Sequence, residues 1–345
     1  MESSDAKMGA LDIGIDLGTT KIIIYKSGEG ELLREPAIVA VNTRDDTLIA
    51  AGSEALSMLG KTPGYIKAEF PLENGVISDH VLTEMMLKEF IKRACSSFLV
   101  KHRVVICVPS SVTEVERRAV VRTIVHAGGR KVYLIEEPIA AAIGAGIDVT
   151  KANGSLVIDI GGGTADVAVL SLGGVVLSES MRYAGNRIDE EIIKLMAQKY
   201  HLSIGKKMAE QLKQQIGTLW EPSYERTATA KGRNLLRIYP QQITVSEQDI
   251  YDAIEPFGEL LVAAVKRVLD KTPPELASDI YVNGIVMTGG GSLLRGVAEL
   301  VEQETGIKTR VSENAVECVS IGTGKAFDYI ELLQTGFSEE STHNY

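Results

Sequence analysis

Ile13-Gly14-Ile15-Asp16-Leu17-Gly18-Thr19-Thr20 is echoed downstream by Leu156-Val157-Ile158-Asp159-Ile160-Gly161-Gly162-Gly163-Thr164. Each stretch is an apolar run ending in Asp, followed by a glycine-containing turn with Thr. A second apolar run follows each turn, at 22–25 and at 167–170. The two Asp residues are about one domain length apart. Two matched strand–turn–strand units at that distance predict two related half-molecules facing one another across a nucleotide. Glycine lets backbone amides approach a phosphate without interference from a Cβ. Thr hydroxyls add hydrogen bonds, and a carboxylate beside each turn can hold Mg2+ directly or through water. One such turn alone reads equally well as a hairpin with a capping Asp. The second copy, and a third turn at Thr288-Gly289-Gly290-Gly291-Ser292, turn the reading toward nucleotide binding.

Composition sets the frame. With 345 residues, 45% hydrophobic and 24% charged, the chain has length for about two domains and a sizeable core. Its 33 glycines fall in recognisable turns and form no low-complexity tract. A formal net charge of −10 argues against non-specific nucleic-acid binding, so phosphate must be held locally. Cys95, Cys107 and Cys318 show no CxxC spacing and read as buried small hydrophobes in a reducing compartment. The five His form no metal-ligand cluster with Cys, which disfavours structural zinc. Residues 1–10 do not read as a signal peptide, and no apolar run reaches the ~20 residues of a membrane span.

Along the chain, strand and helix patterns alternate, which predicts an α/β class. Residues 36–42 read as a strand and 45–71 as loop-rich, with Gly60, Pro63 and Gly64. Residues 79–95 have helical periodicity, and 104–108 form an apolar run suited to a buried strand. Thr113 with Glu116 three residues on is a capping-box pattern opening a helix that Gly128-Gly129 ends. Residues 131–135 read as the next strand. Pro138 then opens a run of small residues to Gly146, read as a helix crossing closely between the halves. In the second half, helices are expected at 189–200, 206–216 and 248–269, with 217–240 polar and irregular and with room for short strands. A strand at 285–287 should run into the third glycine turn, and a helix should begin at Leu293.

Other nucleotide folds fit poorly. No G-x-x-x-x-G-K-[ST] loop is present, since Gly324-Lys325 is followed by Ala326, and no G-x-G-x-x-G opens a helix after the first strand. Beyond the glycine turns, several long segments are distinctive. They are Arg103-Val104-Val105-Ile106-Cys107-Val108-Pro109, Thr113-Glu114-Val115-Glu116-Arg117-Arg118-Ala119, Tyr133-Leu134-Ile135-Glu136-Glu137-Pro138 with the small-residue run after it, Lys271-Thr272-Pro273-Pro274-Glu275-Leu276-Ala277, and the stretch from Gly284 to Gly296. On these residues the chain resembles the actin–Hsp70–sugar kinase superfamily, and within it the bacterial actin MreB family, over about 11–327.

The resemblance implies an actin-like two-domain ATPase fold with duplicated RNase H-like cores and two smaller inserted subdomains. Domain I would comprise 1–143 and 322–345, with its small subdomain at about 36–71. Domain II would span 144–321, with its small subdomain at about 186–247. Carried over by position, Asp16, Gly18, Thr19, Thr20 and Lys21 fall in the first phosphate loop. Asp159, Gly161, Gly162, Gly163 and Thr164 fall in the second, and Gly289, Gly290, Gly291 and Ser292 in the adenosine loop. Asp16 and Asp159 would hold Mg2+, through water. Glu137 falls where the family places the group that orients the attacking water, with Thr164 as a second water or phosphate contact. A carboxylate placed this way could accept a hydrogen bond from water in line with a γ-phosphate; alternatively it complements a helix dipole. Glu210 and Lys213, at i,i+3 on one helix face, match an adenosine-contacting pair in Hsp70-like members; the alternative is a solvated ion pair.

The chain departs from the family at three places. Ala165-Asp166 stands for the usual Thr-Glu, which should alter contacts behind the second turn. Thr20-Lys21 stands for Ala-Asn, leaving Lys21 either near a phosphate or in solvent. Leu235-Leu236-Arg237-Ile238-Tyr239-Pro240 replaces a Thr-Gly-Leu-Pro type of turn.

MreB-like proteins lie on the inner face of the plasma membrane. Residues 1–10 carry Glu2, Asp5 and only Lys7, which does not suit a basic amphipathic anchor. Phe98, Leu99 and Val100, flanked by Lys92, Arg93, Lys101 and Arg103, match the family's membrane loop by position; the alternative is the edge of a core strand. The resemblance therefore implies a cytoplasmic protein peripheral to the plasma membrane. It would bind ATP or ADP with Mg2+, hydrolyse ATP slowly to ADP and phosphate, and polymerise into paired protofilaments. Its implied role is cell-shape maintenance by organising wall synthesis, with cell-wall elongation and membrane-anchor proteins as partners and no nucleic acid. The rival readings are an Hsp70-like ATPase, for whose peptide-binding domain the chain leaves no length, and a small-molecule kinase, for which no acceptor motif is evident.

Overall fold

The computed structural model describes residues 11–73, 76–95, 102–110, 112–330 and 337–340. Two compact units result: unit 1 is Met1–Ala152, Leu170–Val176 and Glu317–Tyr345, and unit 2 is Asn153–Val169 and Leu177–Val316.

The first Asp stretch forms the central strand Asp12–Leu17 of a six-stranded sheet. Across that sheet the order is Phe337–Glu340, Gly129–Glu136, His102–Val108, Asp12–Leu17, Lys21–Lys26, Gly30–Pro36. Asp12–Leu17 pairs antiparallel with Lys21–Lys26 (Asp16 opposite Ile23) and parallel with His102–Val108 (Ile15 opposite Ile106). Alternation divides its side chains between the two faces. Ile13 and Ile15 join a core with Met86, Phe90, Val121 and Ile124 from helices His80–Ala94 and Glu114–His126. Gly14 faces the other way, where a Cβ would lie 2.7 Å from the backbone of Thr323 and Gly324.

The helix carrying Thr323, Cys318–Lys325, packs on the small-residue helix Glu137–Gly144 by direct backbone contact. A Cβ on Gly144 would stand 1.8 Å from the Cys318 carbonyl oxygen, and one on Gly322 would stand 1.7 Å from that of Ala140. Both contacts recur at a spacing of four, one turn of helix, so each helix lays a small-residue stripe on the other. The run from Pro138 thus does serve close packing, and its partner is a helix of the same unit.

Two expectations are corrected in this unit. Residues 36–42 do not form one strand. The chain leaves the large sheet at Pro36, where Ala37 N–H donates to Thr20 O, and starts a separate small sheet at Val39–Asn42. Residues 45–71 are also more ordered than expected, with strands Thr47–Ala51 and Ile66–Glu69 and helix Ser53–Met58. Their core is Ile38, Ala40, Ala50 and Ala55; alanines give a weak periodic signal, and the Gly and Pro residues crowd the 59–65 connection. The capping box forms as expected: Glu116 N–H donates to Thr113 Oγ1, and Thr113 N–H donates to Glu116 Oε2 at 2.8 Å.

In unit 2 the second Asp stretch is again the central strand, Ser155–Ile160, of a five-stranded sheet. The order is Gly174–Met181, Ala165–Ser171, Ser155–Ile160, Ile285–Thr288, Thr309–Val311. Reading third, second, first, fourth, fifth strand, this is the order of the first five strands of the large sheet in unit 1 once its small-sheet strands are set aside. The duplication visible in the sequence is therefore a duplication of the sheet. Helices Gly185–Tyr200, Lys206–Ile216 and Glu247–Lys271 cover the sheet through Ile188, Ile192, Leu212, Phe257 and Leu261. A small sheet of Leu202–Ser203, Thr227–Asn234 and Pro240–Ser246 supplies the short strands that the polar stretch 217–240 left room for. The α-helix expected from Leu293 begins instead at Val297. A 3-10 turn, Gly290–Leu293, precedes it, and Gly296 at φ +82° sets the break.

Candidate functional site

In unit 1, Asp16 is the last residue but one of its strand and half-buried, with Gly18 and Thr19 in the turn beyond the strand and Thr20 exposed. Lys21 opens the next strand, half-buried. Cys107, on the parallel neighbour strand, donates its thiol toward Asp16 Oδ1 at 3.5 Å and Ile15 O at 3.9 Å. Burial pushes the Cys107 thiol well up, and the negative charges of Asp16 and Glu137 push it further. The same strand end therefore brings Asp16 and Glu137 into electrostatic reach of one buried sulfur. Glu137 is itself buried, in the first turn of its helix. That position suits the helix dipole. Sequence reasoning took the three Cys together as core residues; they are indeed buried and free, but Cys107 sits directly behind the first turn.

Unit 2 gathers more of the expected residues. Asp159 is buried and lies opposite Thr288 in the parallel ladder, where the Thr288 hydroxyl donates to Asp159 Oδ1 at 2.6 Å. Burial raises the Asp159 pKa to about 6, with the Thr288 hydrogen bond opposing it. The second glycine turn closes on itself, Gly161 N–H donating to Thr164 O at 2.9 Å, and Thr164 is buried. The turn also caps a helix. The N-terminus of Gly185–Tyr200 has no side-chain cap, and its Gly185 and Asn186 N–H groups donate to Gly161 O at 3.2 Å and Gly162 O at 2.7 Å. Carbonyls of the turn thus satisfy amides that a helix start leaves open.

Lys213 fastens the arrangement. Its ammonium donates to Gly185 O at 2.9 Å and pairs with Asp189 Oδ1 at 2.8 Å. Burial raises the Asp189 pKa, and Lys213 works against that rise. The solvated pair with Glu210 does not form: Glu210 is exposed and accepts from Gln214 at 3.3 Å. The third turn packs beside the second. Gly289, at φ +79°, has no room for a side chain, since a Cβ would lie 2.3 Å from Ile160 O, and one on Gly291 would meet the Ile160 side chain at 2.2 Å. Gly290 faces open space, and the buried Ser292 hydroxyl donates to Gly289 O at 2.7 Å. Gly185, Asn186 and Asp189 were missed from sequence. Their signal was a glycine before a helical run with an acid one turn in, which is common at helix starts.

Asp159 is a buried acid held by one hydroxyl. A single carboxylate of this kind could serve a hydrated Mg2+, which keeps several waters and needs only one or two carboxylates beside phosphate. Among the described residues no group of three or more His, Cys, Asp or Glu could hold a metal ion. Phe98, Leu99 and Val100 lie outside the described residues. Among the described residues no helix is long and apolar enough to cross a membrane.

The paired sheets and their Asp–Gly–Thr turns define an actin-like α/β fold. Comparison with solved structures agrees. An MreB5 structure from Spiroplasma citri bound to AMPPNP matches with a TM-score of 0.88 and 36% identity, over 93% of this chain and 97% of that one. An ADP-bound MreB5 structure from the same organism matches at 0.88 and 35%, over 95% and 99%. A MamK double helical filament, at 0.79 and 20% identity over 93% and 99%, shares the fold. The MreB/Mbl protein family matches residues 10–335, and the chain belongs to that family. The cell shape-determining protein Mbl of Bacillus cereus is 42% identical over 327 residues, 94% of this chain and 98% of that protein. The cell shape-determining protein MreB of Escherichia coli K12 is 45% identical over 338 residues, 95% and 97% of the two.

Proposed function

We propose that this chain is an ATP-dependent, filament-forming cytoskeletal protein that lies in the cytoplasm against the plasma membrane and maintains cell shape by organising wall synthesis. The observation that carries the reading is the repeated Asp–Gly–Thr turn, each copy at the end of the first strand of a sheet with the same strand order. Relatives named for determining cell shape, and an MreB5 structure bound to AMPPNP, support it.

In this reading Gly18, Thr19, Thr20 and Lys21 form one phosphate loop, and Gly161, Gly162 and Gly163 form another. Gly289, Gly290, Gly291 and Ser292, with Glu210 and Lys213, contact the adenosine. Lys213 contributes chiefly by holding the second turn, through Gly185 and Asp189. Asp16 and Asp159 would hold Mg2+ through water, and the ion would supply charge neutralisation to the phosphates. Glu137 accepts a hydrogen bond from the attacking water and orients it, and Thr164 gives that water or the phosphate a second contact. Hydrolysis is slow and coupled to assembly, with paired protofilaments as the polymer. Phe98, Leu99 and Val100 touch the membrane, and wall-elongation and membrane-anchor proteins bind the polymer.

Light scattering and sedimentation with ATP and Mg2+ test the assembly. Polymer should form with nucleotide, whereas failure to sediment across protein, salt and nucleotide ranges favours a monomeric kinase-type ATPase. Glu137→Ala should keep nucleotide bound but slow phosphate release; normal turnover removes its role.

A further inference from the structure

A buried carboxylate is useful only if something aims it, because each hydrogen bond it accepts fixes its orientation and each one it lacks is costly. Asp159 is 6% exposed. Among the described residues the side-chain donor on it is one hydroxyl, that of Thr288, at 2.6 Å from Oδ1.

Register brings the two together. Strands Ser155–Ile160 and Ile285–Thr288 run parallel, with Leu156 opposite Ile285 and Asp159 opposite Thr288. Residues opposite one another in a parallel ladder share a face of the sheet, so both side chains leave the same side at the ends of their strands. Thr288 is fully buried, so bulk water does not compete for its hydroxyl. The other acceptor within its reach, Ile158 O, is 3.5 Å away, and the shorter bond is the one to the carboxylate. A β-branched side chain is also stiff at χ1, which holds the donor in place.

A donor can aim a carboxylate only if its own position is fixed, and the third glycine turn fixes this one. Thr288 is the residue before that turn. The next residue, Gly289, donates its N–H to Ala315 O at 2.7 Å, and its carbonyl accepts from Ser292 N–H at 3.2 Å and from Ser292 Oγ at 2.7 Å. From the other strand, Ile160 follows Asp159 directly. Gly289 and Gly291 both approach Ile160 too closely for a Cβ. The third turn therefore grips the end of the Asp159 strand twice, through the Thr288 hydroxyl and through its own backbone on Ile160.

We propose that Thr288 is a positioning residue for the nucleotide reaction: its hydroxyl holds the Asp159 carboxylate in the orientation that serves Mg2+ beside the phosphates. This rests on the assignment of Asp159 to Mg2+ made above, and gives Thr288 a part in it that the glycine turns do not.

Calorimetric titration of the full chain with ADP, once in EDTA and once in Mg2+, tests it. Thr288→Val fills the same space without a donor. Its ADP affinity in EDTA should stay close to native, while the tightening that Mg2+ brings should fall by roughly tenfold or more. Thr288→Ser keeps the donor and should restore most of that tightening, and Thr288→Cys, a weaker donor, should fall between Ser and Val. In an Asp159→Asn background, Thr288→Val should take away no further Mg2+ response. Thermal melting without nucleotide checks that each variant is folded; should Thr288→Val not fold, Ser against Cys decides, and an equal Mg2+ response in the two overturns the proposal. If the native chain gains nothing from Mg2+, or Asp159→Asn keeps the full gain, the assignment of Asp159 itself falls. If Asp159→Asn loses the gain and Thr288→Val keeps it, that assignment stands and the proposal is overturned. Equal loss of ADP affinity by Thr288→Val in EDTA and in Mg2+ also overturns it, because Thr288 then only supports the shape of the third turn.

Discussion

Replacing Lys213 with methionine keeps the length and apolar stem of the side chain but removes its charge. The ammonium lost is the one joining Gly185 O and Asp189 Oδ1, at 2.9 and 2.8 Å. Side-chain exposure is 17% for Lys213 and 11% for Asp189. Removing one partner of a fully buried pair costs about 3–5 kcal/mol, because the other charge stays buried without compensation. Partial exposure and the option of protonating Asp189, whose pKa is already raised by burial, lower that to about 2–3 kcal/mol. The chain has a single tryptophan, Trp220, which lies in unit 2 and whose backbone N–H donates to Thr218 Oγ1. Its fluorescence in urea should report this loss locally. The double variant with Asp189→Asn should recover about 1–2 kcal/mol of it, since no buried charge is then stranded. Acid should also narrow the gap between Lys213→Met and the native chain, as Asp189 protonates. A Lys213→Met chain within about 0.5 kcal/mol of native stability, or one with no coupling to Asp189, refutes the assignment of Lys213 as the fastening of the second turn.

Asp159 carries a pKa of about 6, above its ordinary 3.8 because burial disfavours the charge. Its contribution to nucleotide-free stability is therefore full below pH 4 and lost as pH rises through 6, up to about 3 kcal/mol. Asp159→Asn should raise melting in a chelator at pH 7.5 and weaken binding of Mg2+–nucleotide; a lower melting temperature contradicts the cause given for the shift. Burial would raise Asp249, but hydrogen bonds from Lys199, Ser246 and Tyr200 outweigh it and set its pKa at about 2. Its contribution, about 1–2 kcal/mol after allowance for solvent, is present above pH 4 and lost as pH falls toward 2, and an acid titration of native against Asp249→Asn should show the native chain losing that advantage. Gly322→Ala places a Cβ 1.7 Å from the Ala140 carbonyl oxygen; neither backbone can yield cheaply, so the variant should lose at least about 3 kcal/mol or fail to accumulate folded, which circular dichroism and melting will show.

The elements most legible in the sequence were those whose cause is local. Thr113 and Glu116 announce their capping box because both halves of the exchange lie within one turn. The two Asp–Gly–Thr stretches announce duplicated central strands because apolar runs, a small-residue turn and a carboxylate must be contiguous to form such a unit. The small sheet within 45–71 was missed because its core is built of alanines brought together across the sheet. The helix expected at Leu293 was displaced because Gly296, packed on Trp220, sets the break from a distance.

The chain by itself determined the duplication, the three glycine turns, the family resemblance and the acids that flank the turns. These are properties of neighbouring residues, and backbone chemistry ties them to sequence directly. Only the tertiary structure decided what stands behind the turns. It put the Cys107 thiol on Asp16, the Thr288 hydroxyl on Asp159, and the Lys213 ammonium on Asp189 and Gly185 in place of Glu210. It also left Leu236, Ile238 and Tyr239 exposed at a hairpin tip, in the stretch that replaces the family's usual turn. Burial and long-range register set these pairings, and neither is encoded in the spacing of adjacent residues.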